Sequence, residues 1–323
     1  MSFAQGDQAQ LKIIAADLFS QKGVDFATAK KAGGWTNEIW IADGLVLRLS
    51  KRQNNDRLRR EIQLASFLPL EVGYPTVVDV GVAEGFEWCI LKEIPGSNLG
   101  DAWPKLDWDA RIRIIRQIWQ RAEAVHAVDI GSVSDIVGTE PWYNATDRKK
   151  TDASLSLFVQ RRILSRAQNS VLWEILRDYW KYLPDGSRVL NHGDITTENI
   201  IYRSGRVVSL LDFEHATLAP IELDLCNCIK MVFEPDARDN TSPDSSSLGV
   251  KRLQDAVIDL ALPVLNHTGG RQLLMGYAVL KEIRHLEDCL LDAGEDADFT
   301  QWQPYQRLAS LGSGHGGYLG CFF

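Results

Sequence analysis

The chain has 323 residues, of which 45% are hydrophobic and 24% charged, and its formal net charge is −8. This balance is typical of a globular protein, and the length suits one large domain or two lobes. The acidic charge argues against general binding to nucleic acid, because phosphate backbones attract basic surfaces. It suits a cationic ligand, and it equally serves solubility.

No run of the sequence reaches the roughly 18 consecutive apolar residues that a membrane-spanning helix requires. The first residues show no basic segment followed by an apolar core, so no secretory signal is expected. The five cysteines match no zinc-binding or redox spacing. The sequence therefore predicts a cytoplasmic protein with no membrane partner.

The first 95 residues predict a small antiparallel sheet crossed by helices. Apolar residues recur with helical spacing over 7–21 and over 53–68. Between these segments, Asp43-Gly44 joins two strand-like runs and is a strong hairpin signal. Two more strands are predicted at 76–83 and 88–94, before Pro95-Gly96 breaks the pattern. The boundary between an N-terminal lobe (1–95) and a C-terminal lobe (96–323) is expected there.

The C-terminal part is predicted to be mainly helical. The helical segments are 108–128, 153–182, 221–233 and 250–292, and short strands at 188–191, 199–202 and 206–213 interrupt them. Residues 234–249 are expected to form an exposed loop, and the glycine-rich tail Gly312–Gly320 to be loosely ordered. The predicted fold class is therefore α+β, with a small antiparallel sheet lobe and a larger, mainly helical lobe.

Three polar residues of the 190–225 segment are predicted to lie at one hairpin. Asp194 lies in a loop, Asn199 lies where the hairpin begins, and Asp212 lies at the far end of its second strand. Because a hairpin brings its two ends together, Asn199 and Asp212 are expected to approach each other. Their oxygens are hard ligands suited to Mg²⁺. A separate aspartate beside such a site can orient a hydroxyl group or accept its proton.

This pattern resembles the catalytic and metal-binding loops of the aminoglycoside phosphotransferase and choline kinase superfamily, which are small-molecule kinases with a protein-kinase-like fold. The motif H-G-D-x4-N is present here as His192–Asn199, and Asp212-Phe213-Glu214 follows it. Protein kinases carry H-R-D at the first motif. Gly193 and the acidic Glu214 therefore favour the small-molecule branch.

The resemblance implies a two-lobed fold with ATP in the cleft, and GTP is not excluded. Asp194 would be the catalytic residue, and Asn199 and Asp212 would hold Mg²⁺. Relatives often carry Lys or His two residues after the catalytic aspartate, whereas this chain has Thr196. Charge stabilisation would then rest on Mg²⁺, on Arg48 or on another residue.

The N-terminal half supplies the positions that the family uses to bind a nucleotide. A loop that approaches the phosphates through its backbone would comprise Gly33, Gly34, Thr36 and Asn37. Arg48 takes the place of the protein-kinase lysine on the third strand, with Glu61 as its expected helix partner. The run 89–96 resembles the hinge that contacts adenine through backbone groups, here at Glu93 and Ile94.

Three further residues are expected to be structural rather than reactive. His192 would brace the catalytic loop by hydrogen bonds, His126 would pack at the end of a helix, and Asp224 in the run 220–225 matches a structural aspartate of the family. The role of His215 is left open.

The expected partner is a small-molecule hydroxyl acceptor, which would bind among residues 140–182 and 234–300. An aminoglycoside or another amine-bearing acceptor is favoured, while choline-like alcohols, sugars and homoserine remain open. Some acidic residues could face a cationic acceptor or could lie on solvated helix faces; they are Glu222, Glu282, Glu287 and Asp288. The sequence does not indicate the oligomeric state.

Rival classes are each disfavoured by a feature of the sequence. A non-catalytic nucleotide-binding module on the same fold usually lacks one of Asp194, Asn199 or Asp212, and all three are present. A protein kinase is disfavoured by the acidic residue after Phe213 and by the lack of an A-P-E segment. A nucleic-acid binder is disfavoured by the net charge.

Overall fold

The computed structural model describes residues 7–34, 36–143, 145–233, 247–293 and 298–322. The helices are α1 (Gln8–Ser20), α2 (Arg57–Ala65), α3 (Leu99–Ala102), α4 (Trp108–His126), α5 (Ile130–Val133), α6 (Arg148–Gln160), α7 (Arg166–Tyr182), α8 (Glu222–Phe233), α9 (Ser247–Leu265), α10 (Gly270–Asp292) and α11 (Gln303–Gly312). The strands are β1 (Lys30–Ala32), β2 (Asn37–Ala42), β3 (Leu45–Gln53), β4 (Val77–Ala83), β5 (Phe86–Lys92), β6 (Ser97–Asn98), β7 (Arg188–Asn191), β8 (Ile200–Arg203), β9 (Arg206–Leu210) and β10 (Thr217–Pro220).

The N-terminal part is a five-stranded antiparallel sheet with the order β1-β2-β3-β5-β4. Alternation along β3 divides its side chains between the two faces. Leu47 and Leu49 pack with α1 in one apolar cluster. Arg48 points to the opposite face and contacts Glu61 of α2. The sheet therefore holds one buried arginine on the face that α2 covers.

The rest of the described chain is mainly helical and surrounds one large apolar core, to which α4, α7, α8 and α10 all contribute. Two small sheets lie within it, with the orders β6-β8-β9 and β10-β7. The predicted α+β fold, with a small antiparallel sheet lobe and a larger helical lobe, is confirmed. Across the described residues, no helix combines the length and the apolar character needed to cross a membrane.

Two of the predicted long helices are each divided. The segment 153–182 forms α6 and α7, and Arg162 between them adopts a left-handed φ of +59°. Ser165 and Gln168 then form a capping box that starts α7. The segment 250–292 forms α9 and α10, and Gly269 between them has φ +92°. Apolar periodicity continues across both breaks, so it did not reveal them.

The prediction of a loosely ordered tail is wrong. Residues Gly317–Phe322 form a 3-10 turn, and Tyr318, Leu319 and Phe322 are buried in the main core. Gly316 has φ +71°, so the glycines let the chain turn tightly after α11. The predicted loop at 234–249 lies mostly outside the described residues, and α9 begins at Ser247.

Candidate active site

The β8–β9 hairpin brings the predicted metal-binding residues to one place. The Leu211 backbone N–H donates to the Asn199 carbonyl oxygen at 2.8 Å, which joins the two ends of the hairpin. Asp212 follows in the left-handed region, with φ +65°. The Asn199 side-chain nitrogen donates to the Asp194 carbonyl oxygen at 3.0 Å and to Asp194 Oδ2 at 3.2 Å. The hairpin thus places Asn199 between Asp194 and the strand end that carries Asp212.

The loop that carries Asp194, the predicted catalytic loop, requires glycine at position 193. Gly193 has φ +84°, and a Cβ atom there would lie 2.1 Å from the His215 carbonyl oxygen. The backbone N–H groups of His192 and Gly193 donate to the two carboxylate oxygens of Asp224, at 2.8 and 2.9 Å. Asp224 is completely buried and also contacts His126 Nε2 at 3.0 Å. Asp224 therefore anchors the loop that presents Asp194.

His192 also braces this loop. The Asp194 backbone N–H donates to His192 Nδ1 at 3.3 Å, so the ring proton is on Nε2, which donates to the Leu211 carbonyl oxygen at 2.9 Å. The His192 side chain is completely buried and packs on Phe213. Both ring nitrogens are engaged, so His192 connects the catalytic loop to the hairpin rather than serving as a base.

Arg48 connects the sheet lobe to the hairpin. Its guanidinium contacts Glu61 Oε1 at 2.6 Å and Asp212 Oδ1 at 2.8 Å, and the Arg48 and Glu61 side chains are only 8% and 0% exposed. The Tyr74 hydroxyl donates to the same Glu61 oxygen at 2.8 Å. Burial alone would lower the pKa of Arg48, but the carboxylates of Glu61 and then Asp212 hold it well above its ordinary value. Arg48 therefore stays a fixed cation in the cleft.

The predicted phosphate-binding loop reaches the same place. Gly34 is packed so closely that a Cβ atom would lie 2.4 Å from the Asn37 carbonyl oxygen, whereas Gly33 has open space around it. Thr36 Oγ1 donates to Glu214 Oε2 at 3.0 Å, across the cleft from the loop. Asn37 is buried, and its amide donates to Thr36 Oγ1 at 3.2 Å. The neighbouring Trp35 lies outside the described residues.

From the sequence, Glu214 served only to favour the small-molecule branch of the family, and no role in the site was predicted for it. Its side chain is 5% exposed, and burial together with the nearby Asp212 carboxylate raises its pKa to about 7. Because it follows Asp212 by two positions and contacts Thr36, Glu214 links the loop after the β8–β9 hairpin to the predicted phosphate-binding loop.

The predicted hinge follows β5. The Glu93 backbone N–H donates to the Gly44 carbonyl oxygen at 2.8 Å, so its carbonyl oxygen is the backbone group left to contact a base. Ile94 is half-buried and Glu93 is exposed. The contact of these residues with adenine stays a prediction.

The polar residues at the hairpin fit a Mg²⁺ ion. In the described residues, no three His, Cys, Asp or Glu side chains form a metal-binding group. The Asp212 carboxylate would therefore act with the amide oxygen of Asn199. The Asn199 side-chain nitrogen makes both hydrogen bonds to Asp194, so the amide oxygen is not used in them. Both are hard oxygen donors, and nucleotide phosphates and water complete such sites in kinases.

The structure adds Lys281, which the sequence interpretation missed. Its ammonium lies 3.9 Å from Asp194 Oδ1, although the two residues are 87 positions apart. A weak signal was present in the helical spacing, since Lys281 follows the buried Leu274 and Tyr277 by seven and four positions on α10. Lysine on such an apolar stripe is unusual and indicates a specific partner.

The sheet lobe, the polar hairpin and the helical lobe together define a kinase-like phosphotransferase. A model of the phosphotransferase enzyme family known as APH matches residues 30–244, and the chain belongs to this family. No curated protein sequence gives a significant match.

Solved structures share the fold over nearly the whole chain. The GDP complex of aminoglycoside 2'-phosphotransferase-IIIa is 16% identical, with a TM-score of 0.67, over 96% of this chain and 99% of that one. The GDP and kanamycin complex of APH(2")-IIIa is 17% identical, with a TM-score of 0.65, over 94% and 97%. A thermostable mutant of APH(4)-Ia, in a ternary complex with ADP and hygromycin B, is 14% identical, with a TM-score of 0.63, over 96% and 98%.

Proposed function

We propose that the protein transfers the γ-phosphoryl group of Mg-ATP to a hydroxyl group of a small molecule. Two groups of side-chain contacts in the cleft support this proposal. Glu61 and Asp212 both contact Arg48, while Asn199 contacts Asp194 in the catalytic loop. A fixed cation, two side chains with oxygen atoms suited to a metal and a partly exposed carboxylate therefore surround one cleft, which is the combination that phosphoryl transfer requires.

Each residue has a defined task in this proposal. Asp194, whose side chain is 27% exposed, orients the acceptor hydroxyl group and takes its proton. Arg48 binds phosphate oxygens from the sheet side, where Glu61 fixes its guanidinium. Asn199 and Asp212 would hold Mg²⁺, which when bound neutralises charge on the phosphates. Catalysis then comes mainly from positioning and charge neutralisation.

The nucleotide is proposed to be ATP, with GTP to be tested beside it. Solved structures with this fold contain GDP in one case and ADP in another. Gly33, Gly34, Thr36 and Asn37 would cover the phosphates, and Glu93 and Ile94 would contact the base.

The acceptor is proposed to be an amine-bearing compound, because kanamycin and hygromycin B are bound by proteins of this fold. The acidic residues of the helical lobe add no support, since each is engaged within the chain. Glu222 contacts His267, Glu282 contacts Lys230, and Arg284 contacts both Glu287 and Asp288. Choline-like alcohols, sugars and homoserine therefore belong in the same screen.

Trp142 favours an acceptor with a ring or another flat apolar face. The Trp142 ring lies 5.7 Å from that of His215 and 5.3 Å from that of His285, which is one turn beyond Lys281 on α10. His215 adjoins Gly193 in the catalytic loop. This ring cluster therefore adjoins the loop that carries Asp194, and Trp142 belongs to the 140–182 segment expected to bind the acceptor.

The test is ADP release from Mg-ATP and Mg-GTP over a panel of aminoglycosides, other amines, choline-like alcohols, sugars and hydroxyl amino acids. Asp194→Asn is the inactive control, and its nucleotide binding is measured separately. Release that depends on one acceptor and disappears in Asp194→Asn supports the proposal. Nucleotide binding without release for any acceptor favours the non-catalytic module, although the presence of Asp194, Asn199 and Asp212 argues against that reading.

A further inference from the structure

Lys281 of α10 is buried beside the proposed catalytic carboxylate. Its side chain is 4% exposed, and its ammonium lies 3.9 Å from Asp194 Oδ1. The ammonium also donates to Asn227 Oδ1 on α8. Burial of a lysine is costly unless its charge is paired, so this position needs an anion.

The pairing with Asp194 is loose. A distance of 3.9 Å exceeds a hydrogen bond, and an ammonium has three protons, of which Asn227 accepts one. In the described part of the chain, Asp194 is the only carboxylate within ion-pair distance of Lys281. The ammonium therefore has donors left for a further anion at the reacting end of the cleft.

Lys230 differs from Lys281 in how its charge is balanced. Lys230 lies one turn after Asn227 on α8 and bonds directly to the buried carboxylate of Glu282. Its charge is thus balanced within the protein. Among the residues that the structure describes, Lys281 has one neutral amide in hydrogen-bond contact, together with the more distant Asp194 oxygen.

Asp194 itself is held from two sides. Its Oδ2 accepts from the Asn199 amide at 3.2 Å, while its Oδ1 faces Lys281. An acceptor hydroxyl that bonds to this carboxylate would lie within reach of the ammonium. So would the phosphoryl group that this hydroxyl attacks. Thr196, two residues after Asp194, brings no charge to this end of the cleft.

We infer that Lys281 is a catalytic residue that donates to the transferring phosphoryl group. This inference rests on the proposed function. The acceptor oxygen forms a bond to the γ-phosphorus as the bond from that phosphorus to the bridging oxygen of ADP breaks. The hydroxyl proton moves to Asp194 and is released later, and ADP leaves with the bonding electron pair. Lys281 keeps its proton throughout and offsets the charge on the phosphoryl oxygens.

The test compares variants of Lys281 with the wild type. Rates of ADP release are measured with the acceptor found in the screen and with water as acceptor. In Lys281→Met, kcat is expected to fall by about a hundredfold or more, while the KM for Mg-ATP stays near the wild-type value. The Tm should fall only modestly, through the lost hydrogen bond to Asn227. Lys281→Arg should retain part of the rate. Lys251→Met, which removes an exposed α9 lysine paired with Asp255, is the matched control and should change nothing.

Relocation of the charge separates a catalytic role from a structural one. Thr196→Lys in the Lys281→Met background should restore a substantial part of kcat, because it returns an ammonium to the same end of the cleft. If Lys281→Met does not fold, Lys281→Gln replaces it, since Gln keeps an N–H donor on a somewhat shorter side chain and removes the charge.

The outcomes that overturn the inference are distinct. An unchanged kcat in Lys281→Met would exclude the role. A fall that neither Lys281→Arg nor Thr196→Lys restores would show that Lys281 only supports the structure. A wild type that releases no ADP with any acceptor or with water would contradict the proposed function itself, and the inference would fall with it.

Discussion

Arg48 Nη2 lies 2.8 Å from Asp212 Oδ1, and this contact joins the third strand of the sheet lobe to the loop that follows the β8–β9 hairpin. The two residues are 164 positions apart in the chain. One carboxylate would therefore serve two partners in the proposed reaction, because Asp212 orients the guanidinium and would also help to hold the metal. This contact joins the two lobes directly, so in the proposed reaction a change at either residue would also affect the other.

Removal of the proposed metal ligand should abolish turnover. We expect Asp212→Ala to lower Mg-dependent ADP release by on the order of 10³-fold, because Asp212 is the only carboxylate assigned to the metal. The rate is measured as a function of Mg²⁺ concentration. Asp178→Ala, at a half-exposed surface aspartate, is the control. Near-normal turnover of Asp212→Ala at any Mg²⁺ concentration would exclude the assignment.

Removal of the helix partner of Arg48 should destabilise the sheet lobe. Glu61→Gln leaves a buried guanidinium with Asp212 as its remaining carboxylate, and the free energy of unfolding should fall by about 3 kcal/mol. Urea unfolding measures this change, with the exposed Glu71→Gln as control. A loss no larger than that of the control would show that the pair contributes little to stability.

A methyl group added at Gly193 should reduce activity more than the strain of a left-handed backbone would by itself. Gly193→Ala introduces a Cβ atom 2.1 Å from the His215 carbonyl oxygen, whereas Gly205→Ala has a similar φ, +85° against +84°, and open space. Both variants carry the cost of a left-handed φ, roughly 1 kcal/mol. Only Gly193→Ala should also lose ADP release, because the backbone that presents Asp194 must move. Equal activity of the two variants would contradict this account of the loop.

Asp224 should make stability depend on pH in the acid range. Burial alone would raise its pKa, but the hydrogen bond and charge of His126, followed by His192 and the Gly193 N–H, hold the pKa below its ordinary value. As the pH falls, Asp224 therefore takes up a proton at a higher pH in the unfolded state than in the folded state. The stabilisation is fully present above a pH of about 4 and is lost as the pH falls toward the folded pKa.

The matching experiment is unfolding in urea over a pH series. Asp224→Asn should cost about 3 kcal/mol at neutral pH and should show a shallower loss of stability in acid than the wild type. The exposed Asp152→Asn should follow the wild-type curve. Parallel acid curves for wild type and Asp224→Asn would show that another group sets the acid response.

The polar residues of the hairpin were predictable because the signal is short-range. The spacing of Asp194, Asn199 and Asp212 lies within one loop and one hairpin, and hairpin geometry brings its ends together. Alternation along β3 likewise predicts that Arg48 faces away from Leu47, which the structure shows. The nucleotide, metal and acceptor roles of these residues stay predictions.

Features that depend on long-range packing could not be found in this way. Lys281 reaches Asp194 only because α10 packs on α8, and local spacing does not specify which helices meet. The prediction of a loosely ordered tail failed for a related reason. Its glycines suggest loose order, whereas the burial of Tyr318 and its contact with Cys226 depend on the surface that α8 presents.

Phosphoryl transfer to a hydroxyl group can be followed directly with γ-labelled ATP. The enzyme is incubated with labelled Mg-ATP and the acceptor found in the screen, and the label is followed into the acceptor, inorganic phosphate and remaining ATP. We expect the label to appear on an acceptor oxygen with the wild type and not with Asp194→Asn, although both bind the nucleotide. Label that stays on ATP, or that appears only as inorganic phosphate for every acceptor, would exclude phosphoryl transfer to a hydroxyl group.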